Sequence, residues 1–421
     1  MSNSKSAQAL KTIDKAVSRA SEMGLIHLTA EDYASNGRTI TIKGKELINF
    51  GSCSYLGLEL DESLKQGAID AIVRHGTQFA SSRAYVSVGL YEDAENLLTQ
   101  IFRRPIILAA SVTHGHLSNL PVLVGENDVV ILDHQVHATV QMAANQLRLR
   151  GIKVEMIRHS NMSMLESRIQ KLKDSYEKVW YMADGIYSMY GDFAPIDELK
   201  QLLDKYEQFH LYIDDAHGAG IFGENGSGFV HKALPYHERM YLILGLAKSF
   251  AGAGGVMVYP DEESRRKVRT CGGTMIFSGP LQPAQLGATI ASLKLHMGPR
   301  LPDLQAKLRN RIAYFNLKAE ELGIPLFFES ISPICFINVG LPEVGYNLIQ
   351  RIMKAGFYAN LAVYPSVPLR NTGIRVALTN HLSYQDIDAL LKLIARELPI
   401  ALKEENSSME DVYKAFKVKA Y

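Results

Sequence analysis

The sequence predicts an α/β protein: a large, mostly parallel sheet covered by helices, followed by a smaller α+β region. Three observations lead there. Short apolar runs alternate with amphipathic stretches between residues 46 and 285. Those runs are apolar throughout, as strands buried on both faces are. After about residue 285 the alternation gives way to longer helical segments. Repeated strand–helix alternation is satisfied by a parallel sheet with helices on both sides.

Taken in order, residues 1–45 read as an N-terminal arm, a helix over Ala7–Met23 and a β-type segment at 38–42. Residues 46–285 read as the large domain. Its expected strands lie at Pro105–Ala110, Asp128–Leu132, Lys153–Ile157, Val179–Met182, Leu211–Ile213, Leu242–Leu244 and Gly255–Val258. Segments such as Met164–Lys173 and Ile196–Tyr206 carry apolar residues three and four apart, the spacing of an amphipathic helix. Residues 286–403 read as the smaller C-terminal domain: a long helix over Leu286–Leu322, strands near Ile334–Asn338 and Ile374–Leu378, and a helix over Tyr384–Leu402. Residues 404–421 read as a solvent-exposed tail.

Composition narrows the class. The 421 residues carry a formal net charge of +1, with 47% hydrophobic and 21% charged, which excludes a disordered or fibrous chain. A near-neutral, interspersed charge offers nothing to a nucleic acid, and at most peripheral contact with a membrane. The most apolar window, Tyr241–Tyr259, is broken by Lys248 and four glycines, so no membrane span is expected. Cys53, Cys271 and Cys335 are far apart and form neither a disulfide framework nor a zinc motif. With a polar N-terminus lacking the apolar core of a signal peptide, the expectation is a cytoplasmic enzyme.

Two motifs mislead. Gly218-x-Gly220-x-x-Gly223 fits the dinucleotide fingerprint, but the turn-forming residues 223–228 cannot open the helix that fingerprint needs. His114-x-His116 and His134-x-x-His137 lack acidic or cysteine companions at helical spacing, so no metal is expected.

Two segments carry chemistry. Leu211-Tyr-Ile-Asp214-Asp-Ala-His217-Gly puts two acids and a histidine at the end of an apolar strand, the edge where open α/β sheets bind ligands. A carboxylate there would keep a heteroaromatic nitrogen protonated, and a histidine three positions on could bond an adjacent ring oxygen. A capping acidic turn fits that segment equally well. About thirty residues later, Leu242-Ile-Leu-Gly245-Leu-Ala-Lys248-Ser249 sets one lysine in an uncharged run of small residues. Burial lowers a lysine's pKa, which suits a Schiff-base amine; a lysine at a flexible loop tip is the plainer alternative.

Asp214-Asp-Ala-His217-Gly-x-Gly, followed by Lys248 and a glycine-rich run, resembles the α-oxoamine synthases, fold-type I pyridoxal 5'-phosphate (PLP) enzymes that join an amino acid to an acyl thioester with loss of carbon dioxide. The resemblance runs from about Asn49 to Leu393. It implies that Lys248 carries the cofactor and removes the Cα proton, that Asp214 pairs with the ring nitrogen, and that His217 bonds the phenolic oxygen. His137, in Asp133-His-Gln-Val-His137-Ala-Thr, matches the histidine stacked on the ring. Ser188, in Asp184-Gly-Ile-Tyr-Ser188-Met-Tyr-Gly-Asp, matches the serine near the phenolic oxygen. Arg375, in Gly373-Ile-Arg375-Val-Ala, matches the arginine that clamps the substrate carboxylate, a task suited to two parallel hydrogen bonds. A strand-edge ion pair is its plainer alternative.

The resemblance extends to Asn49-Phe-Gly-Ser-Cys53-Ser-Tyr55-Leu-Gly-Leu, a substrate entrance where relatives carry asparagine at the position of Cys53. Ser81-Ser-Arg83 resembles a turn reaching toward the neighbouring subunit's site. Phe277-Ser278-Gly-Pro resembles a segment lending a hydroxyl to the partner's cofactor phosphate, so a homodimer with shared active sites is implied. The phosphate loop reads Ser111-Val-Thr113-His114-Gly-His116, with Thr113 and His114 as cofactor contacts. Relatives carry a hydroxyl three residues before the lysine, where this chain has Gly245; Ser249 is the candidate replacement.

The expected reaction joins a small amino acid, serine or cysteate first and glycine or alanine next, to a long-chain fatty acyl group carried on coenzyme A or a carrier protein, in sphingoid-base or sulfonolipid synthesis. Alternatives are an aminotransferase or β-eliminating lyase, an aminooxononanoate synthase-like enzyme of the biotin pathway, and a cofactor-free binding or regulatory relative, the last suggested by Gly245.

Overall fold

Seven strands form the central sheet in the spatial order Ile106–Ala109, Gly255–Val258, Met240–Gly245, Phe209–Asp214, Val179–Asp184, Val129–Asp133, Lys153–Ile157. Every pairing from Met240–Gly245 to Lys153–Ile157 is parallel, and Gly255–Val258 runs antiparallel to both its neighbours. The five inner strands are buried at every residue, so side chains alternate between two apolar cores. Ile131, Tyr181, Leu211 and Ile213 feed one core, and Val130, Trp180, Met182 and Tyr212 the other. Lys153–Ile157 departs from the expected two-face burial: Lys153 and Met156 are exposed because this strand closes the edge.

The structure is a computed structural model that describes residues 5–31 and 35–417. Its contacts divide the chain into a larger unit, Leu56–Ser188 with Asp192–Gln305, and a smaller one, Met1–Tyr55, Met189–Gly191 and Ala306–Tyr421. In the larger unit, helices Glu62–His75 and Pro283–His296 meet at Gly67 and Gly287. A Cβ on Gly287 would lie 2.1 Å from the Gly67 carbonyl oxygen, so only glycine permits this backbone approach.

The smaller unit holds two three-stranded sheets. One pairs Thr39–Ile42, Lys45–Asn49 and Phe357–Tyr358; the other sets Thr372–Ala377 between Ile334–Gly340 and Asn360–Ala362. Helices Pro342–Lys354 and Tyr384–Glu404 turn apolar faces inward through Leu348, Ile352, Leu390 and Ile394, each fully buried.

Two expectations fail. The helix expected over residues 286–322 is two helices, Pro283–His296 and Arg300–Glu321, because Pro299 disfavours helical geometry in the residue before it and lacks an N–H. The expected tail instead forms the helix Met409–Phe416, with a capping box between Ser408 and Asp411. Val412 and Phe416 are buried, and the Phe416 ring sits 6.1 Å from those of Phe327 and Phe336. One apolar pair on a short helix leaves too little periodicity to read.

Gly287→Ala is expected to destabilise the protein by about 1–3 kcal/mol, the usual cost of overpacking, read as a lowered thermal midpoint. Gly273→Ala, where a Cβ meets nothing within 4 Å, should leave the midpoint unchanged; equal midpoints for the two variants would contradict the close approach.

Candidate active site

Because the inner strands run parallel, their C-terminal ends gather polar residues along one edge of the sheet. Val179–Asp184 and Phe209–Asp214 end in register, Asp184 opposite Asp214. The loops after them bring Asp184, Asp214, His137, His217 and Lys248 around one cavity of about 390 Å³. Lys248 stands in the turn after Met240–Gly245, where Ala251 N–H donates to the Lys248 carbonyl and Gly252 N–H to that of Leu246. His137 caps the helix Ala138–Leu149, and its backbone N–H donates to Asp184 Oδ1 at 3.0 Å.

The two carboxyls behave differently. Burial raises the Asp184 pKa well above the usual carboxylate range, and the charge on Asp214 adds to it. Burial also opposes ionisation of Asp214, but a hydrogen bond from His116, with the charges of Lys248 and His137, holds its pKa below the ordinary value. His116 Nε2 lies 3.0 Å from Asp214 Oδ2, and Ala216 N–H donates to Oδ1 at 2.9 Å. The surroundings therefore favour the charged form of Asp214 and oppose that of Asp184. Sequence reasoning gave Asp184 and His116 no such roles; Tyr212 and Asp214, two apart on one strand face, were the available signal.

The other end of the cavity is the start of the helix Val112–Leu123, where Ser111, Val112 and Thr113 line the wall. Free backbone N–H groups at a helix start bind phosphate. A carboxylate, an amine, an open aromatic-sized space and this helix start fit a phosphorylated pyridine aldehyde. His114 does not line the cavity: its Nδ1 sits 2.8 Å from Ser111 Oγ. Ser249, proposed to replace the hydroxyl absent at Gly245, is buried with its hydroxyl unpartnered and outside the cavity wall. Gly245 itself is hemmed in, since a Cβ there would lie 3.1 Å from Ala216 Cβ and 3.3 Å from Val112 Cγ2.

Three further sequence candidates are not among the residues that line this cavity. Arg83 is committed within its own unit: Nη1 donates to the Leu108 carbonyl, Nη2 pairs with Glu95 at 3.1 Å, and the guanidinium lies 3.6 Å from the Tyr91 ring centre. These contacts fix the guanidinium on its own unit, beside the turn that the resemblance directs toward a neighbouring subunit. Ser278 follows the 88% exposed Phe277, and Ser188 is half-buried in the loop after Asp184. In the smaller unit, Arg375 is 5% exposed with Nη2 at 3.8 Å from Cys53 Sγ. The Tyr55 hydroxyl bonds both Cys53 and Arg375.

A second polar network escaped the sequence reading. His159 Nδ1 lies 2.9 Å from Asp133 Oδ1 and its Nε2 lies 2.6 Å from Asp192 Oδ2. Asp133 also accepts from the Tyr181 hydroxyl and from the N–H groups of Gln135 and Ser160. This network pins the loops that carry His137 and Ser188.

A profile of the family described as aminotransferase class I and II matches residues 45–394. The 8-amino-7-oxononanoate synthase of Thermoanaerobacter pseudethanolicus is 30% identical over 87% of this chain and 91% of its own. The serine palmitoyltransferase of Sphingobacterium spiritivorum is 29% identical over 85% of this chain and 88% of its own. The serine palmitoyltransferase of S. paucimobilis, solved with a bound PLP–myriocin adduct, superposes with a TM-score of 0.84 at 21% identity, covering 93% of this chain and 99% of that one. Fold and cavity together define a fold-type I enzyme that uses pyridoxal 5'-phosphate. Within that class the chain belongs to the α-oxoamine synthases, PLP-dependent acyltransferases.

Burial lowers the His159 pKa, but its bonds to Asp133 and Asp192 outweigh this and raise it from 6.5 to about 9. A pKa raised on folding contributes stability below the unfolded value that is lost as pH rises through the folded one. The stability gap between the wild type and His159→Gln should therefore be largest below pH 6.5, at most about 3 kcal/mol, and shrink toward pH 9; a gap independent of pH in urea unfolding would refute the ion pair.

Proposed function

We propose that the protein condenses a small L-amino acid with an acyl thioester. The amino-acid Cα bonds to the acyl carbonyl carbon, the thiol leaves, the carboxylate departs as carbon dioxide, and an α-amino ketone remains. The observation that carries this reading is the single cavity holding Lys248, Asp214, His137 and His217.

When bound, the cofactor supplies an electron sink for the charge developing at Cα. Lys248 would hold it through Nζ and, once released by the amino acid, take the Cα proton at that nitrogen. Asp214 would keep a proton on the ring nitrogen, His217 and Ser188 would face the phenolic oxygen, and His137 would cover the ring. The N–H groups at Ser111–Thr113, with the Thr113 hydroxyl, would hold the phosphate. Arg375 is the carboxylate-binding group of this reading, because a guanidinium forms two parallel bonds to a carboxylate. Holding the breaking bond in line with the sink is the protein's contribution to rate.

Serine or cysteate, with a long-chain acyl donor on coenzyme A or a carrier protein, is the favoured substrate pair. Likeness to a serine palmitoyltransferase supports it, as does the thiol of Cys53 beside the Arg375 guanidinium, where a substrate carboxylate would lie close to the substrate side chain. A second reading, glycine or alanine with a shorter acyl donor as in the biotin pathway, draws on the 30% identity to an 8-amino-7-oxononanoate synthase. Mass spectrometry of products from mixed amino acids and thioesters should show an α-amino ketone with stoichiometric thiol and carbon dioxide. Its acyl length separates the two readings, and keto-acid formation without thiol would instead indicate a transaminase. Lys248→Ala should abolish both turnover and the lysine-linked cofactor absorbance; retained turnover would defeat the assignment.

A homodimer is part of the same reading. Ser82 Oγ donates to the Ile276 carbonyl at 2.6 Å, tying the 81–87 loop to the short helix Gly273–Phe277, and an aromatic side chain on each is bare: Tyr85 is 87% and Phe277 88% exposed. Apolar rings this open mark a protein contact. Phe277→Asp should shift the protein from dimer to monomer in analytical ultracentrifugation; a monomeric wild type would contradict the reading.

A further inference from the structure

The cavity's ionised acid is the last member of a buried relay that no catalytic step above uses. His116 is fully buried and lies between strand and helix, with Nε2 at 3.0 Å from Asp214 Oδ2 and Nδ1 at 2.9 Å from the Tyr212 hydroxyl. Behind Tyr212, Asn119 Nδ2 donates to the same hydroxyl at 3.4 Å, and the Tyr259 hydroxyl donates to Asn119 Oδ1 at 2.6 Å.

The donor directions follow from what each group can give. Tyr259 donates to the Asn119 oxygen, so the Asn119 amide N–H points at Tyr212. The Tyr212 oxygen receives that N–H, leaving its own proton for His116 Nδ1. With Nδ1 accepting, the ring proton sits on Nε2 and is donated to Asp214. Each link thus offers its hydrogen toward the carboxylate. Reversing the Tyr212–His116 link would leave the Tyr212 proton without an acceptor in the relay, because the Asn119 amide nitrogen on its other side can only donate.

We infer that His116 is a positioning residue that keeps Asp214 ionised and aimed at the cofactor's ring nitrogen, with Tyr212 fixing the tautomer of His116. The inference rests on the reading of Asp214 as the ring-nitrogen partner. The relay explains how Asp214 stays charged beside Asp184, which is buried at the adjacent strand end: its second oxygen is held by a donor that cannot turn away. His116 does not line the cavity and reaches it through Asp214.

The test uses the holoenzyme reconstituted with ¹⁵N-labelled pyridoxal phosphate and follows the ring-nitrogen chemical shift against pH. In the wild type the nitrogen should stay protonated across the range in which the enzyme is folded. His116→Phe should lower its pKa by at least about one unit, a tenfold change in the protonation equilibrium, with kcat falling and KM for the amino acid little changed. Tyr212→Phe, which keeps the volume and removes only the hydroxyl, should shift it the same way by less. His116→Gln, which can still present an N–H to Asp214, should restore most of the wild-type titration, a rescue that a purely structural role would not produce. Should His116→Phe fail to fold, the Tyr212→Phe and His116→Gln titrations decide. Wild-type titration curves in the folded variants would overturn the inference while leaving the cofactor reading intact; an unprotonated ring nitrogen in the wild type would overturn that reading as well.

Discussion

Two carboxyl groups at the end of neighbouring parallel strands set the character of the larger unit. Asp184 and Asp214 lie opposite each other in register, both buried, where two negative charges cannot coexist cheaply. The fold resolves the conflict by unequal solvation: backbone and imidazole donors serve Asp214, while burial and the neighbouring charge push the Asp184 pKa up despite the His137 N–H. Two identical side chains thereby acquire two chemistries from their surroundings alone. The parallel sheet is the prerequisite, because only strands running the same way deliver their last residues to one edge.

Much of this was legible in the sequence. The strands were readable because burial on both faces leaves unbroken apolar runs such as Val179–Met182. Lys248 and the Asp214–His217 pair were readable because charged or titratable residues at the ends of such runs have few inexpensive places to go. His116 was not, since a histidine inside a helix has no spacing signature and gains its meaning only from Asp214, 98 residues away. The same holds for His159, whose partners Asp133 and Asp192 come from two different loops. Arg83 likewise has partners the motif did not show: its guanidinium lies over Tyr91 and binds a strand carbonyl.

In the smaller unit the arginine follows a related logic with fewer parts. Arg375 sits on the central strand of a three-stranded sheet, paired on both sides, and nearly all of its surface is buried. A buried cation needs partners; here they include a phenol and a thiol, Tyr55 and Cys53, both reached by the segment that follows Lys45–Asn49.

Gly245 ties the cavity wall to the phosphate end of the site. The wall is close-packed there, with Ala216 and Val112 both within reach of any Cβ placed at this position. Restoring a hydroxyl by one substitution would push against both neighbours, so the change would be penalised before its benefit to phosphate binding could be felt. A side chain at this position is accommodated only where Ala216 and Val112 give way by a few tenths of an ångström, so the packing of the cavity wall and the choice of phosphate-binding groups are one problem and not two.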